Sequence, residues 1–241
     1  MTAEGSSRAE TADRDVPIWA REKPRRRPAL SRDIIVESAL AIADAEGIGA
    51  VSIRRVAADL GVRPMSLYTY IDRKEDLVVL MRDQVNQEVV LGSALPAGWR
   101  EAVTAIARRT REVILRHPWI IDTNASGAGL SPNALRHIEE SLTALRDLDL
   151  DPRDAVDVLT AVDKFTLGHA TFEIADRAGA AARQSAAPYF ESLLATGEFP
   201  VLAQLRSRDA GGAITERQYE RQFERGLKWL LDGIAAGINA R

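Results

Sequence analysis

The sequence predicts an all-α fold, and three observations carry that prediction. Apolar or aromatic residues recur at three- and four-residue spacing, in Ile35, Ala39 and Ile42, in Val158, Val162, Phe165, His169 and Phe172, and in Phe223, Leu227, Leu230, Leu231, Ile234 and Ile238. That is the period at which side chains share one face of a helix. The segments open on helix-capping residues, Ser31, Ser52 and the pair Asp151-Pro152, and close at Gly47, Gly61 or Pro118. Composition agrees: the 241 residues are 46% hydrophobic and 28% charged, a balance that suits one large or two modest globular domains.

Residues 1–28 lack an apolar period and close on REKPRRRP, so they are expected to form a flexible basic tail. Its arginines can follow phosphates or enter a minor groove; a solvated linker fits equally well. Helix one follows, with Ser31 as N-cap and Asp33 placing negative charge in the first turn. Ser52 caps a shorter second helix whose Val56, Ala57 and Leu60 face inward and which ends at Gly61. Pro64 then opens a third helix, where a missing N–H is harmless, with Leu67 and Ile71 one turn apart. Two short helices joined by a glycine turn make a helix-turn-helix, whose second member reads DNA in proteins built to do so.

Three short amphipathic helices also build ordinary bundles, so the chemistry of the outward face decides between the readings. With Leu67 and Ile71 turned inward, Pro64, Met65, Ser66, Tyr68, Thr69 and Tyr70 project elsewhere. Small and hydroxyl-bearing groups of this kind fit a groove, donate to phosphate oxygens and pack on thymine methyls. Arg54 and Arg55 begin the second helix, Arg63 precedes the third and Lys74 opens the fourth, so cations bracket the reading helix. From Arg21 to Lys74 there are eleven Lys/Arg against seven Asp/Glu, whereas residues 75–241 hold nineteen against twenty-four, within an overall charge of −3. A basic segment on an acidic body supplies a local anion-binding face.

The fourth helix runs from near Lys74 toward Val90, and LGSALPAG interrupts it. The expected organisation is a tail over 1–28, a DNA-binding head over 29–75, a connecting helix and linker over 76–98, and a ligand-binding and dimerisation domain over 99–241. In the body, helices are expected from Trp99 to His117, from Leu135 to Leu148, and from Asp151-Pro152 onward. A short helix and loop over Leu193–Leu205, with GEFP inside it, would lie over a pocket. The last stripe, from Phe223 to Ile238, needs a partner surface; an intramolecular core and a homodimer seam both satisfy it.

Composition also removes whole classes of chemistry. There is no cysteine, which excludes disulfides, thiolate zinc sites and cysteine nucleophiles, and three histidines leave little for a metal cage. No catalytic or cofactor motif is present: there is no G-x-S-x-G, phosphate-cradling glycine loop or H-E-x-x-H. Asp151, Asp154 and Asp157 sit where a helix start favours acidic residues. The expectation is a non-enzymatic protein with no cofactor and no metal. It is also expected to be cytoplasmic, since no apolar run reaches the length of a membrane span and the N-terminus lacks a signal-peptide core.

The run AVSIRRVAADLGVRPMSLYTYIDRKEDLVVLM, Ala50 to Met81, resembles the DNA-binding domain of the tetracycline-repressor (TetR) family, most specifically in LGV, SLY and K-E-D-L. The resemblance places Arg54, Arg63, Pro64, Met65, Ser66, Tyr68, Thr69 and Tyr70 toward DNA, with Lys74 at a phosphate-contacting position. Tetracycline repressors proper carry glutamine where Pro64 stands, and tryptophan and histidine where Thr69 and Tyr70 stand. A different operator is therefore implied. DKFTLGHATFE, GEFP and FERGLKWLLDGI are similar to the C-terminal domain of the tetracycline-repressor subgroup, which implies a four-helix dimer seam. Val158, Val162, Phe223, Leu227, Leu230, Leu231 and Ile234 are assigned to that seam.

His117, Trp119, Asn124, Phe165, His169, Phe172 and Glu173 are the candidate pocket residues. Asn124 falls where the family places a magnesium-binding histidine, and the family's metal-linked glutamate falls near Phe172, with Glu173 one place late. That pattern implies an effector other than a magnesium-drug complex, and a more apolar one. His169 and Glu173, four apart, equally suit an ordinary hydrogen-bonded pair.

The fold class expected is thus an N-terminal three-helix helix-turn-helix head joined to a larger C-terminal helical bundle that dimerises. The function expected is a transcriptional repressor that holds a palindromic double-stranded operator as a homodimer and is released by a small-molecule effector. The alternative is a dimeric helical scaffold or small-molecule-binding protein without DNA-binding activity.

Overall fold

The computed structural model describes residues 30–123, 131–208 and 214–240, and among these all regular structure is helical. The head begins with α1, Arg32–Glu46, whose Ile34 N–H donates to Ser31 Oγ at 3.3 Å. Helix α2, Ile53–Leu60, starts on Ser52, which accepts from Arg55 N–H at 3.1 Å. Gly61 closes α2 in the left-handed region, φ 64° and ψ 35°, a conformation that side-chain-bearing residues adopt only at a cost. Its N–H reaches the carbonyls of Ala57 and Ala58 and satisfies the last turn.

Helix α3 is shorter than the sequence pattern suggests. Regular helix covers only Pro64–Leu67, and a turn continues it, with the N–H groups of Tyr70 and Ile71 both bonded to Leu67 O at 2.9 and 3.0 Å. Leu67 and Ile71 are buried, so the turn keeps them on the inner face even where the helix has ended. Ser38 on α1 donates to Asp59 on α2 at 2.8 Å and fixes the two helices to each other.

Helix α4, Lys74–Val89, extends the head's core along its length through Leu77, Met81, Val85 and Val89. That core also takes in Val113 and Trp119, from a helix and turn of the body. Head and body therefore share packing rather than touching through a linker.

The body comprises α5 (Trp99–Arg116), α6 (Pro132–Leu145), α7 (Pro152–Ala178), α8 (Ala180–Leu194), α9 (Pro200–Arg208) and α10 (Glu216–Asn239). Asp151 caps α7, accepting from Arg153 N–H at 2.8 Å with Pro152 in the first turn. Helix α5 packs on α6 and α7, α7 on α10, and α6 on α4. A second core of Val103, Ile106, Leu145, Val162, Phe223, Leu227 and Leu231 fills the space between α5, α6, α7 and α10. Ion pairs Arg100–Asp232 at 2.9 Å and Arg108–Glu224 at 2.6 Å run antiparallel along α5 and α10.

Helices α8 and α9 are the departure from expectation. The sequence reading placed one short helix near residues 193–205, whereas two helices are present, with GEFP at the turn between them. Tyr189, Phe190, Phe199, Val201, Leu202 and Leu205 on this hairpin stay exposed in the protomer.

Candidate functional site

The outer face of the head carries Arg54, Arg63, Pro64, Met65, Ser66, Tyr68 and Thr69, all exposed. Met65 is 74% and Tyr68 46% accessible, large values for apolar and aromatic groups on a folded domain. Arg54, Arg63 and the half-buried Lys74 enter none of the ion pairs formed among the described residues, which leaves their charge available to an anionic partner.

Two sequence assignments are corrected on this face. Arg55 is committed internally, at 2.6 Å from Glu46 and 3.6 Å from Asp59, and these partners raise its already high pKa, the Glu46 hydrogen bond first. Tyr70 is half-buried and packs against the head's core. Arg32 is an addition: its exposed guanidinium lies 3.4 Å from Tyr70 O, so a cation from the start of α1 joins the edge of the reading turn. The basic bias of residues 21–74 contained Arg32, but only the packing of α1 beside α3 locates it.

Beneath the head, α4 is fastened to the body at several points. Arg109 donates to Glu88 O at 2.6 Å, and Arg116 to the Glu88 carboxylate. Asp83 accepts from Asn133 N at 2.8 Å and from its Nδ2 at 2.9 Å. Glu140 on α6 accepts from the N–H groups of Leu91 and Gly92 at 3.0 and 2.6 Å, completing the backbone just past α4. Arg82 on α4 donates to Thr123 O.

His117 and Trp119, assigned from sequence to a ligand pocket, belong instead to this junction. His117 lies with Nδ1 2.7 Å from Asp44 of α1 and Nε2 3.2 Å from Glu88 of α4, while Trp119 Nε1 donates to Asp44 at 2.8 Å. Both side chains are buried between head and body.

Within the body, Glu173 is fully buried and accepts from Arg111 Nε and Nη2 at 2.9 and 2.7 Å and from Arg177. His169 stands 3.8 Å from the same carboxylate, and its ring packs with Phe165 and Phe223 at centroid distances of 6.0 and 5.2 Å. Burial, reinforced by Arg111 and opposed by Glu173, pushes the His169 imidazole below its usual range. Phe172, by contrast, is 80% exposed and points away from this cluster, so its pocket assignment is withdrawn. Asn124 lies outside the described residues. Among the described residues no group of three or more histidine and carboxylate side chains is placed to hold a metal ion.

Sequence reasoning missed a set of buried polar atoms. Thr110 Oγ1, Thr166 Oγ1, His137 Nδ1 and His169 Nδ1 are buried without a hydrogen-bond partner among the described residues. Each such group costs about 1–3 kcal/mol when left unpaired, and together they lie on α5, α6 and α7. A separate cavity of about 1060 Å³ opens between the end of α7, the α8–α9 hairpin and the start of α10. Its wall includes Arg177, Gln184, Phe190, Arg206, Ile214 and Tyr219, and none of the sequence-assigned pocket residues.

The seam assignment also changes. Val162, Phe223, Leu227 and Leu231 are at most 4% exposed inside one protomer, and Val158, Leu230 and Ile234 pack against the same core. The stripe on α10 thus finds its partner in α5 and α7. The opposite face of α10 carries Trp229, 66% exposed, with Gly233, Ala236 and Gly237 also exposed.

A helix-turn-helix head fused through α4 to a six-helix body is the geometry against which known proteins were compared. The tetracyclin repressor-like C-terminal domain family matches residues 93–238, more than half of the chain. The chain belongs to the tetracycline-repressor family. A curated member of this family's wider group, the HTH-type transcriptional repressor DrrR1 of Streptomyces coeruleorubidus, is 36% identical over 224 residues, covering 89% of this chain and 81% of the relative. The tetracycline repressor class E of Escherichia coli is 24% identical over 216 residues, covering 88% and 94%. Among solved structures, apo ActR from Streptomyces coelicolor superposes with a TM-score of 0.70 at 32% identity, covering 89% of this chain and 99% of that one. ActR has also been solved in complex with actinorhodin, with a TM-score of 0.69 at 32% identity and coverage of 88% and 99%. As a tetracycline-repressor family member, the chain is a helix-turn-helix transcriptional regulator. Among its described residues no helix is long and apolar enough to cross a membrane.

Proposed function

We propose that the chain is a cytoplasmic homodimeric repressor that occupies a palindromic operator and is released when a small organic molecule binds its body. The observation that carries this reading is the exposed Arg54, Arg63, Met65, Ser66, Tyr68 and Thr69 face on a head whose core continues along α4 into Val113 and Trp119. A face so placed moves only when α4 moves, which is the requirement for coupling a distant ligand to DNA affinity. The complex of ActR with actinorhodin supports a small-molecule effector for this chain too, and the partnerless polar atoms of Thr110, Thr166 and His169 support a ligand that is apolar with a few hydrogen-bonding groups. The Trp229, Gly233, Ala236 and Gly237 face of α10 is the proposed seam, since small residues beside an exposed tryptophan let a second helix approach closely.

The test is operator selection from random DNA followed by titration of variants over a range of salt. Arg54→Ala and Tyr68→Ala are expected to weaken binding, and Arg54→Ala to reduce the salt slope by about 0.9 if the arginine contacts one phosphate. Arg55→Ala should leave that slope unchanged, because its charge is used by Glu46 and Asp59. Undiminished binding by the Arg54→Ala, Tyr68→Ala double variant would remove this face from the interface.

A further inference from the structure

His117 is enclosed by acceptors, and its charge follows from hydrogen-bond chemistry. Asp44 Oδ1 lies 2.7 Å from Nδ1 and already receives the Trp119 indole N–H at 2.8 Å. Glu88 Oε1 lies 3.2 Å from Nε2, while Glu88 Oε2 receives Arg116. An indole N–H and a guanidinium only donate, so both carboxylates act here as acceptors, and each ring nitrogen must bring a proton. A neutral imidazole has one N–H and one lone pair; it would leave that lone pair facing a carboxylate oxygen. The side chain is only 6% exposed, so water does not readily replace either contact.

The three elements that meet at this ring are those whose relative placement sets the head: α1 through Asp44, α4 through Glu88, and the end of α5 with its following turn through His117 and Trp119. The charged groups facing the ring are Asp44 and Glu88, with Arg116 behind Glu88. We propose that His117, held as an imidazolium, is a positioning residue that clasps α4 to the head and body, and that loss of its proton releases α4 and alters operator affinity. The shorter Nδ1–Asp44 bond is the one retained by a singly protonated ring, so the bond to Glu88 is the one that opens. Acidic to neutral conditions keep the clasp closed; alkaline conditions open it. The proposal rests on the head being the operator-binding part, and goes beyond it in assigning a protonation-dependent control to the junction.

Two measurements on the full-length protein test it, and the first involves no DNA. Nitrogen chemical shifts of isotope-labelled histidine report ring protonation, and with three histidines in the chain the His117→Gln variant assigns the signal. The expected result is a doubly protonated ring near neutral pH that loses the second proton on alkalinisation. The second measurement is operator affinity at constant ionic strength between about pH 6 and pH 9, a window in which imidazole is the side chain that ordinarily titrates. Wild type is expected to change affinity about fivefold or more, the lower end of typical coupling between sites. Glu88→Gln should flatten that change while circular dichroism shows it folded, because glutamine can serve either as acceptor or as donor to Nε2. A singly protonated ring at neutral pH would overturn the proposal, as would identical pH profiles for wild type and Glu88→Gln. Failure to bind DNA at any pH, with a doubly protonated ring, would instead count against the operator reading and against the functional half of the proposal.

Discussion

Replacing Glu173 with glutamine probes the body's most buried charge, and its expected cost can be worked from the surroundings. The Glu173 side chain is 0% exposed and that of Arg111 10%, so the substitution leaves a guanidinium almost out of water with no counter-charge. Breaking one side of a buried pair costs about 3–5 kcal/mol, whereas replacing both partners with apolar groups of similar volume is often neutral or better. Glu173→Gln should therefore destabilise by several kcal/mol, and the Arg111→Met, Glu173→Leu double variant by much less. Arg111→Met alone should fall between them, because Arg177 remains bonded to Glu173. The assay is urea unfolding at a fixed protomer concentration, since dimerisation makes apparent stability depend on concentration. With a slope on the order of 3 kcal/mol per molar urea, the midpoint for Glu173→Gln should drop by roughly 1–1.5 M. A Glu173→Gln variant within about 1 kcal/mol of wild type, or a double variant as costly as the single, would refute the assignment of a mutually dependent buried pair.

Three further outcomes follow from specific contacts. A Cβ at Gly226 would stand 2.8 Å from the Phe165 ring, so Gly226→Ala should overpack the α7–α10 contact and cost about 1–3 kcal/mol by denaturant titration. Ser52→Ala removes the acceptor for Arg55 N–H and should destabilise by about 1 kcal/mol, with amide exchange accelerated first in α2. His169 is held below its usual range by burial, so the unfolded chain binds the proton more readily than the folded one. Its contribution is complete above the ordinary imidazole value of about 6.5 and is lost as pH falls below it toward the depressed folded value. Melting temperatures should consequently drop more steeply on acidification in wild type than in His169→Gln.

What the sequence made legible was local. Ser31, Ser52, Gly61 and Asp151 act within a few residues of themselves, so their capping roles can be read without knowing the fold. Leu67 and Ile71 were legible for the same reason, being one turn apart on a face with no other apolar residues. The errors came where a partner arrives from far along the chain. Apolar spacing on α7 favours Phe172 over Glu173, yet Arg111, 62 residues earlier, turns the carboxylate inward and leaves the phenyl ring outside. The stripe on α10 was real, but periodicity says only that a face needs covering, and α5 and α7 cover it before any second chain can. His117 and Trp119 looked like pocket residues because aromatic and imidazole groups near a proline stop suit a ligand; Asp44, 73 residues away from His117, defines their use. Helix α8 has a proline at 188 and many alanines, and offers no apolar period to detect.

The insertion of Trp119 and Val113 into the head's core bears on how such regulators exchange parts. A chimera that joins this head to a foreign body at the Gly92 turn would inherit α1 to α4 but lose two residues of their core and the donors that occupy Asp44. Such a transplant needs the end of α5 and the turn to Thr123 to travel with the head. The unit of inheritance for DNA reading in this chain is thus discontinuous in sequence, and a new effector specificity is more readily grafted by changing α6 to α9 around a retained α5.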